Sequence, residues 1–448
     1  MRLEVWNGER RVGWLASDGN TFAFPYDPVW LAHPERFALS PFLPCTADPP
    51  QDINEHSIRV RQFFDNLLPE GQGLEDAART FGISKANLIG LLINLGRESA
   101  GAFRIFPEGS PDPLSEDPPP REVVPTELSR RIRERPYMPI SVWDARIRLS
   151  IAGVQDKVAV REHEGRWFLP DGRMSSTHLL KLEEAGHERR QLTTNEFFCM
   201  RMAKAVRLPA AIVRLAHVPE PVLVVERFDR RLRADGSIER LHTLDGCQAL
   251  GLPSIHKYER IFGDNVDVRD QRHGASLPRL FGIAVAGQVP SPALERQKLL
   301  RWALFQVIVG NADAHGKNLT YFCGPEGLTL APAYDLVSIP ALEDNRLSRT
   351  FAMAIGDAFA FEDLSVFEWT EFARACGLAT RMIADELQAL AKRAMEQLDA
   401  TADQCIAEGA DPGAVAAVVH FVRQRAVLLL GMADDLRKSI SPRPGQSR

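Results

Sequence analysis

The order in which two hydrophobic periodicities follow each other along the chain constrains its fold most. Residues 1–26 and 148–229 alternate apolar and polar residues in short runs, which is the two-residue period of strands. Beyond Leu241 the apolar residues recur every three to four positions, as on one face of a helix. Long amphipathic segments at about 380–405 and 412–437 close the chain. The sequence therefore predicts a β-rich part, a second β-rich part with one helix, and an all-helical part.

Shorter helices are expected inside the β-rich parts. Residues 57–68 and 84–95 have helical periodicity, with Ser84 as the N-cap of the second helix. A further helix is predicted at about Asn195–Val206. From Pro107 to Pro125 the composition shifts to Pro, Asp, Glu, Ser and Gly, which is typical of a linker.

Composition excludes several classes of protein. The chain has 448 residues, 45% of them hydrophobic, and a formal net charge of −5, so it has no overall basic excess for nucleic acid or anionic membrane. Its six cysteines form no C-x-x-C pair, which argues against a zinc ribbon or a disulfide framework. No apolar run near the start or around Val427–Met432 is long enough for a leader or a membrane span. We therefore expect a cytosolic protein without a membrane partner.

The stretch GNADAHGKN at 310–318, followed by PAYD at 332–335, carries the strongest chemical signal. Asn318 lies five residues after Asp313, which is the D-x-x-x-x-N spacing of the catalytic loop in protein kinases, and Asp335 follows after a hairpin-like segment. Phosphoryl transfer needs a base for the acceptor hydroxyl and oxygen ligands for magnesium. Taken singly, each of these residues is more often part of a solvated turn or cap.

Two upstream segments fit the same chemistry. Lys181 in HLLKL matches the strand lysine that pairs with nucleotide phosphates, although a lysine on a half-exposed strand is the ordinary alternative. SIAGVQDK at 150–157 lies between two predicted strands and is placed to cover phosphates, with Lys157 as an extra positive charge. It has one glycine, and an ordinary hairpin turn remains the alternative.

The segment ERFDR at 226–230 ends the last strand before the helical part, where a two-lobed kinase has its hinge. Backbone groups there are expected to read the adenine edge; a charged strand end is the alternative. Glu196, at the start of a predicted helix, is the candidate partner of Lys181, and an acidic residue favoured by the helix dipole explains it equally well.

Together these motifs resemble the HipA family of toxin kinases. The resemblance spans most of the chain and adds STHLLKL at 176–182, VERFDR at 225–230, CQALGLP at 247–253 and FFDNLLPEG at 63–71. It implies an α+β, two-lobed protein-kinase-like fold with a β-rich N-terminal lobe, an extra N-terminal subdomain and an all-helical C-terminal lobe. The implied divisions are 1–106 for the N-terminal subdomain, 107–125 for a linker, 126–230 for the N-lobe with its phosphate loop, 231–440 for the helical C-lobe and 441–448 for a tail.

The resemblance also implies a role for each site residue. Asp313 would be the catalytic base, with Lys181, Asn318 and Asp335 in the catalytic set, and Asn318 and Asp335 would bind magnesium. Ser150 would be the autophosphorylated regulatory serine. Contacts to ATP are implied for Ala152, Gly153, Val154, Gln155, Asp156, Lys157, Lys181, Glu226, Arg227, Phe228, His315, Gly316, Lys317, Asn318, Tyr334 and Asp335.

The implied cofactors are ATP and magnesium, and the implied partner is a helix-turn-helix antitoxin that brings the kinase onto operator DNA as a co-repressor. The implied substrate is an aminoacyl-tRNA synthetase, such as glutamyl-tRNA synthetase, whose phosphorylation would arrest translation and produce persistence. Two alternatives remain open: a small-molecule or lipid kinase, and a pseudokinase that acts only as a co-repressor. The presence of Lys181, Asp313, Asn318 and Asp335 together argues against the pseudokinase.

Overall fold

A computed structural model of the chain describes residues 1–110, 118–144, 146–147, 155–183, 191–285, 287–342, 344 and 347–440. The strands are β1 (Arg2–Asn7), β2 (Arg10–Asp18), β3 (Thr21–Ala23), β4 (Phe103–Pro107), β5 (Arg121–Glu122), β6 (Val142–Trp143), β7 (Arg146–Ile147), β8 (Lys157–His163), β9 (Arg166–Leu169), β10 (His178–Leu182), β11 (Val213–His217), β12 (Pro221–Glu226), β13 (Arg230–Leu232), β14 (Ile238–Arg240), β15 (Thr243–Asp245), β16 (Thr320–Gly324) and β17 (Gly327–Leu330). The helices are α1 (Pro28–Leu31), α2 (Ile53–Asp65), α3 (Gly71–Phe81), α4 (Leu88–Leu95), α5 (Pro125–Glu134), α6 (Leu192–Ala205), α7 (Gly246–Leu250), α8 (Leu277–Val285), α9 (Pro292–Val309), α10 (Val366–Cys376), α11 (Thr380–Ala407) and α12 (Pro412–Ile440).

The chain divides into two compact units. Unit 1 contains Met1–Glu188, Ile212–Ser254 and Tyr321–Leu328, and unit 2 contains Arg189–Ala211, Ile255–Thr320 and Thr329–Arg448. Strand β5 falls inside the segment expected to be a linker and pairs with β9. The five-part division of the sequence stays a prediction.

Unit 1 is built on antiparallel sheets. A four-stranded sheet has the order β3-β2-β1-β4, and a six-stranded sheet has the order β11-β12-β10-β8-β9-β5. In β1, Leu3 and Val5 are buried and the residues between and beside them are more exposed, which is the period that the sequence predicted.

The six-stranded sheet has two chemically different faces. On one face, alternate residues of β8, β10 and β12 pack with residues of α5 into an apolar core. The core residues of these elements are Val158, Val160, Leu180, Leu182, Val222, Val224, Leu128 and Ile132. Because side chains alternate across a strand, Lys157 and Lys181 point to the opposite face.

Unit 2 is organised around α9. The apolar residues that recur at helical spacing between 299 and 308 are buried in α9, and so are Trp302, Phe305 and Gln306 on its other sides. A helix buried all round lies at the centre of its bundle, and α9 contacts α8, α11 and α12. This central helix ends at the segment that carries the candidate catalytic residues.

By length and composition alone, α12 is apolar enough to cross a membrane, with an 18-residue window of mean hydropathy 1.5. The sequence expectation concerned uninterrupted apolar runs, whereas this window lies within a long helix that also contains polar residues. Within unit 2, α12 packs along α11 and also contacts α6 and α9, which is how a core helix behaves.

The predicted helix at 84–95 starts later than expected. It begins at Leu88, and the side chain of Asn87, not Ser84, caps it by accepting from the Gly90 N–H at 2.9 Å. From Arg230 onward the chain contains strands β13 to β17 in addition to the expected helices.

Candidate active site

The candidate catalytic loop starts where α9 ends. Gly310 has φ +75 and is the left-handed C-cap of α9. A Cβ at this position would lie 2.5 Å from Cε1 of Phe421 and 3.0 Å from Cδ of Pro340. Only glycine satisfies both the backbone conformation and the lack of space, so Gly310 fixes the direction in which the loop leaves the helix.

Asn311, a residue that the sequence argument did not single out, organises the loop. Its side-chain amide donates to Gln306 Oε1 at 2.9 Å and to the Asp335 carbonyl at 3.2 Å. Its side-chain oxygen accepts from the Asp313 N–H at 3.2 Å. Asn311 therefore joins the end of α9 to the two segments that carry the predicted base and the predicted metal carboxylate.

Asp313 and Asn318 lie on one closed loop. The Asp313 carbonyl accepts from the His315 N–H at 2.8 Å and from the Asn318 side-chain amide at 2.9 Å. Asp313 is exposed, whereas Asn318 is buried. An exposed carboxylate is placed to meet an acceptor hydroxyl. Because the NH₂ group of the Asn318 side chain donates to the Asp313 carbonyl, the oxygen of the same amide points away from that carbonyl.

Asp335 has a strained backbone. Its φ is +57, which is uncommon for a residue with a side chain and is often found at functional sites. The chain on either side of it is anchored within unit 2. The Ala211 N–H donates to the Ala333 carbonyl, and the Ala333 N–H donates to the Pro209 carbonyl, each at 2.8 Å. The Asn195 side chain donates to the Ser338 carbonyl at 3.0 Å and accepts from the Ser338 N–H at 2.8 Å.

Tyr334 ties the two predicted motifs together. Its hydroxyl donates to the Lys317 carbonyl at 2.6 Å and lies 2.8 Å from the Thr320 hydroxyl. His315, Gly316 and Lys317 are buried beside it in the loop. Unit 2 thus brings together every predicted site residue between 313 and 335, and their roles toward ATP stay predictions.

Tyr258 is a second residue that sequence reasoning missed. Its hydroxyl donates to Asp313 Oδ1 at 2.7 Å, and its ring packs edge-on against His315 with centroids 5.1 Å apart. The two partners of the hydrogen bond are 55 residues apart in sequence, and no local pattern signals such a contact. Asn311, in contrast, lies within the same motif and was within reach of the sequence argument.

Two buried lysines face each other in unit 1. Lys181 on β10 is directly opposite Lys157 on β8 in the antiparallel register, and their side chains are 6% and 5% exposed. Directly opposed side chains lie about 5 Å apart at Cβ, and like charges there destabilise a sheet. The register thus places two positively charged side chains opposite each other on one face of the sheet.

The remaining described part of the predicted phosphate loop is held against β10. The Gln155 side chain donates to the Leu182 carbonyl at 3.0 Å, and the Leu182 N–H donates to the Asp156 carbonyl at 3.0 Å. The Asp156 carboxylate lies 3.2 Å from the Arg135 guanidinium. The expected sites Ser150, Ala152, Gly153 and Val154 lie outside the described residues.

At the predicted hinge, the Arg227 side chain serves a structural purpose. Its guanidinium donates to Asp229 at 2.9 and 2.7 Å and to the Ser176 hydroxyl at 2.9 Å, and Arg227 is 5% exposed. The N–H groups of Glu226 and Arg227 donate to the Ile212 and Thr177 carbonyls. If this segment binds adenine through its backbone, it must do so through groups other than these two N–H groups. The Phe228 ring packs edge-on against the Phe322 ring, with ring centroids 5.8 Å apart.

Arg227 belongs to a buried ionic cluster within unit 1, formed with Glu98, Asp229, Arg230 and Arg240. Burial alone would raise the pKa of Glu98, but the charges of Arg240, Arg230 and Arg227 outweigh it and lower that pKa to about 2. The carboxylate therefore stays charged at neutral pH and links the turn that follows α4 to the predicted hinge.

The residues fit a magnesium–nucleotide complex. Within the described residues, no group of three or more His, Cys, Asp or Glu side chains is placed to hold a metal ion. Magnesium in phosphotransferases instead takes one or two protein oxygens, and the remaining oxygens come from phosphate and water. Asn318 and Asp335 would supply such oxygens, and they lie on segments that Asn311 connects. Glu196 is buried on α6 in unit 2 and Lys181 lies in unit 1, so their pairing stays a prediction.

Comparison with known proteins identifies the family. A family model described as the HipA-like C-terminal domain matches residues 149–401, and one described as the HipA N-terminal domain matches residues 3–106. The serine/threonine-protein kinase toxin HipA of Shewanella oneidensis is 35% identical over 450 residues, covering 98% of each chain. A putative kinase of Sinorhizobium fredii is 35% identical over 413 residues, covering 90% of this chain and 93% of the relative.

A solved structure agrees with these matches. The Shewanella oneidensis complex of HipA, HipB and operator DNA contains a chain with a TM-score of 0.85 and 34% identity, covering 97% of this chain and 99% of that one. The expected α+β, kinase-like fold and the serine/threonine protein kinase class are confirmed. The chain belongs to the HipA family of toxin kinases.

Proposed function

We propose that the chain transfers the γ-phosphate of ATP to a serine or threonine hydroxyl of a protein, with Asp313 as the base. The observation that carries the proposal is the hydrogen-bonded joint at Asn311, which holds the Asp313 loop and the Asp335 segment together. A base and a metal-binding carboxylate must keep a fixed relative position for phosphoryl transfer, because catalysis depends on positioning and charge stabilisation.

In this proposal each residue has one task. Asp313 accepts the proton of the acceptor hydroxyl, and Asn318 and Asp335 hold magnesium through their side-chain oxygens. When bound, magnesium would neutralise charge on the phosphates. Lys181 and Lys157 attract the phosphate groups to the face of the sheet that they share, which their directly opposed positions on β10 and β8 support. His315 and Lys317 contact the nucleotide or the transferred phosphate.

The partners and the regulation are proposed from the family. The relative from Shewanella was solved with HipB and operator DNA, and we propose a helix-turn-helix antitoxin and its operator as partners of this chain. We also propose an aminoacyl-tRNA synthetase, such as glutamyl-tRNA synthetase, as the substrate, autophosphorylation at Ser150 and a cytoplasmic location. Growth arrest and persistence would follow from the loss of charged tRNA.

Phosphoproteomics of cells that briefly express the chain, with Asp313→Asn as the matched control, tests this proposal. We expect new phosphoserine or phosphothreonine sites that appear only with the active chain. The purified chain is also incubated with γ-labelled ATP and a cell extract. Label that enters metabolites or lipids instead of protein would favour the small-molecule or lipid kinase. Equal phosphorylation in both samples, with operator binding retained in the presence of antitoxin, would favour the pseudokinase co-repressor.

A further inference from the structure

A tyrosine outside the recognised motifs contacts the predicted catalytic base. The Tyr258 hydroxyl donates to Asp313 Oδ1 at 2.7 Å, and the tyrosine is 38% exposed. The hydrogen bond occupies one of the two carboxylate oxygens. The second oxygen, Oδ2, is then the atom that can accept a proton from an acceptor hydroxyl.

The backbone on the N-terminal side of Tyr258 is attached to the catalytic loop. The carbonyl of Lys257 accepts from the Gly316 N–H at 2.9 Å. Because Gly316 lies within the same loop as Asp313, the position of Tyr258 follows that of the base. The edge-on packing of its ring against His315 adds a contact to that loop.

The backbone on the C-terminal side of Tyr258 is also hydrogen-bonded to neighbouring segments. The Glu259 N–H donates to the Ala352 carbonyl at 2.9 Å, and the Ala352 N–H donates to the Ala312 carbonyl at 2.8 Å, which leads back to the loop. Glu259 is 2% exposed, and its side chain accepts from the Ala354 N–H at 2.8 Å and pairs with Arg272 at 2.6 Å. Tyr258 therefore sits between two anchored residues.

We propose that Tyr258 is a positioning residue that orients the Asp313 carboxylate for proton abstraction. The alternative is that the Tyr258 hydroxyl merely fills the place of the substrate hydroxyl beside Asp313. It would then have to move away during each turnover, and the anchoring on both sides of Tyr258 argues against such movement. A fixed donor lets the carboxylate keep one orientation without reorganising during the reaction. This inference rests on the proposed kinase function.

The test is Tyr258→Phe in the full-length chain, which removes the hydroxyl and keeps the ring beside His315. Tyr137→Phe is the matched control, because Tyr137 is 91% exposed in unit 1. Initial rates of phosphate transfer from ATP into acid-precipitable protein of an ATP-depleted bacterial lysate are measured, with Asp313→Asn as the blank. The maximal rate, the KM for ATP and the melting temperature are determined for each variant.

We expect the maximal rate of Tyr258→Phe to fall about 10-fold, as for a lost hydrogen bond to a charged group, while its KM for ATP and its melting temperature stay unchanged. An unchanged maximal rate would overturn the proposal. A raised KM for ATP or a lower melting temperature would also overturn it, because the tyrosine would then have a structural role. Absence of transfer by the wild-type chain would refute the kinase function itself, and this inference with it.

Discussion

The buried ionic cluster of unit 1 gives a quantitative prediction for Glu98→Gln. The Glu98 carboxylate lies 3.3 Å from Arg227, 3.2 Å from Arg230 and 3.9 Å from Arg240, and accepts from the Ser176 hydroxyl at 2.7 Å. The substitution keeps the shape of the side chain and removes its charge. Arg227 and Arg230 then keep Asp229 as an anionic partner, and Arg240 loses its ion pair with Glu98.

Two considerations give a similar loss in the free energy of unfolding for Glu98→Gln. Removing one member of a buried ionic network typically costs about 3–5 kcal/mol. A Glu98 pKa of about 2, against an ordinary value of 4.5, corresponds to about 3 kcal/mol of stabilisation of the charged form at neutral pH. We therefore expect Glu98→Gln to lower the free energy of unfolding of unit 1 by about 3–5 kcal/mol at pH 7.

The pH dependence has a definite sign. Because the pKa of Glu98 in the folded protein is below its ordinary value, its contribution is complete above about pH 4.5 and is lost as the pH falls toward about 2. The difference in stability between wild type and Glu98→Gln should therefore be constant from pH 7 to about 5 and shrink in more acidic solution.

Urea unfolding followed by hydrogen exchange and mass spectrometry of peptides from residues 1–110 reads unit 1 separately. A loss of this size should move the urea midpoint of these peptides down by about 1–2 M. Glu239→Gln is the matched control, because Glu239 pairs with Arg231 and Arg233 at 3.4 Å but these arginines are 64% and 57% exposed. It should cost less than about 1 kcal/mol. Equal midpoint shifts for the two variants, or a Glu98→Gln effect that does not depend on pH, would refute the reasoning.

Four further substitutions test separate parts of the account. Asp335→Ala should remove the enhancement of ATP binding by magnesium, and a calorimetric titration with the same enhancement as wild type would rule out Asp335 as the ligand. Gly310→Ala should cost about 2–4 kcal/mol of stability in thermal unfolding, because it combines φ +75 with a 2.5 Å contact to Phe421; an unchanged melting temperature would contradict this. Lys181→Met should raise the KM for ATP at least about 10-fold, since a charge-assisted contact to phosphate is lost, and an unchanged KM would exclude that contact. Phosphate at Ser150 should lower the affinity for ATP by like-charge repulsion, and mass spectrometry of the self-phosphorylated chain with nucleotide titration would show whether Ser150→Ala prevents this.

The sequence was sufficient for the parts of the site that are local. The spacing of Asp313 and Asn318 indicated one loop, and a hydrogen bond closes that loop. The apolar pattern around Lys181 indicated a strand, and that segment is β10. These inferences worked because the loop and the strand are set by neighbours in sequence.

What the sequence did not predict depends on distant contacts. The hydrogen bond between Tyr258 and Asp313 is a tertiary contact with no periodic signal. The Arg227 side chain lies in a buried ionic cluster whose members include Glu98, which is 129 residues away in sequence, and no local pattern signals this contact. Capping was also ambiguous, because Ser84 and Asn87 are both good N-caps and the choice depends on where the buried face of α4 begins.

The central claim is that Asp313 is the base for transfer to a protein hydroxyl, and single-turnover transfer by Asp313→Asn tests it most directly. The substitution is nearly isosteric and removes proton acceptance, so the rate should fall by about 10² to 10⁴ with ATP binding and folding retained. Asp264→Asn, on the exposed segment that follows Tyr258, is the control and should keep the wild-type rate. Undiminished transfer by well-folded Asp313→Asn would contradict the account.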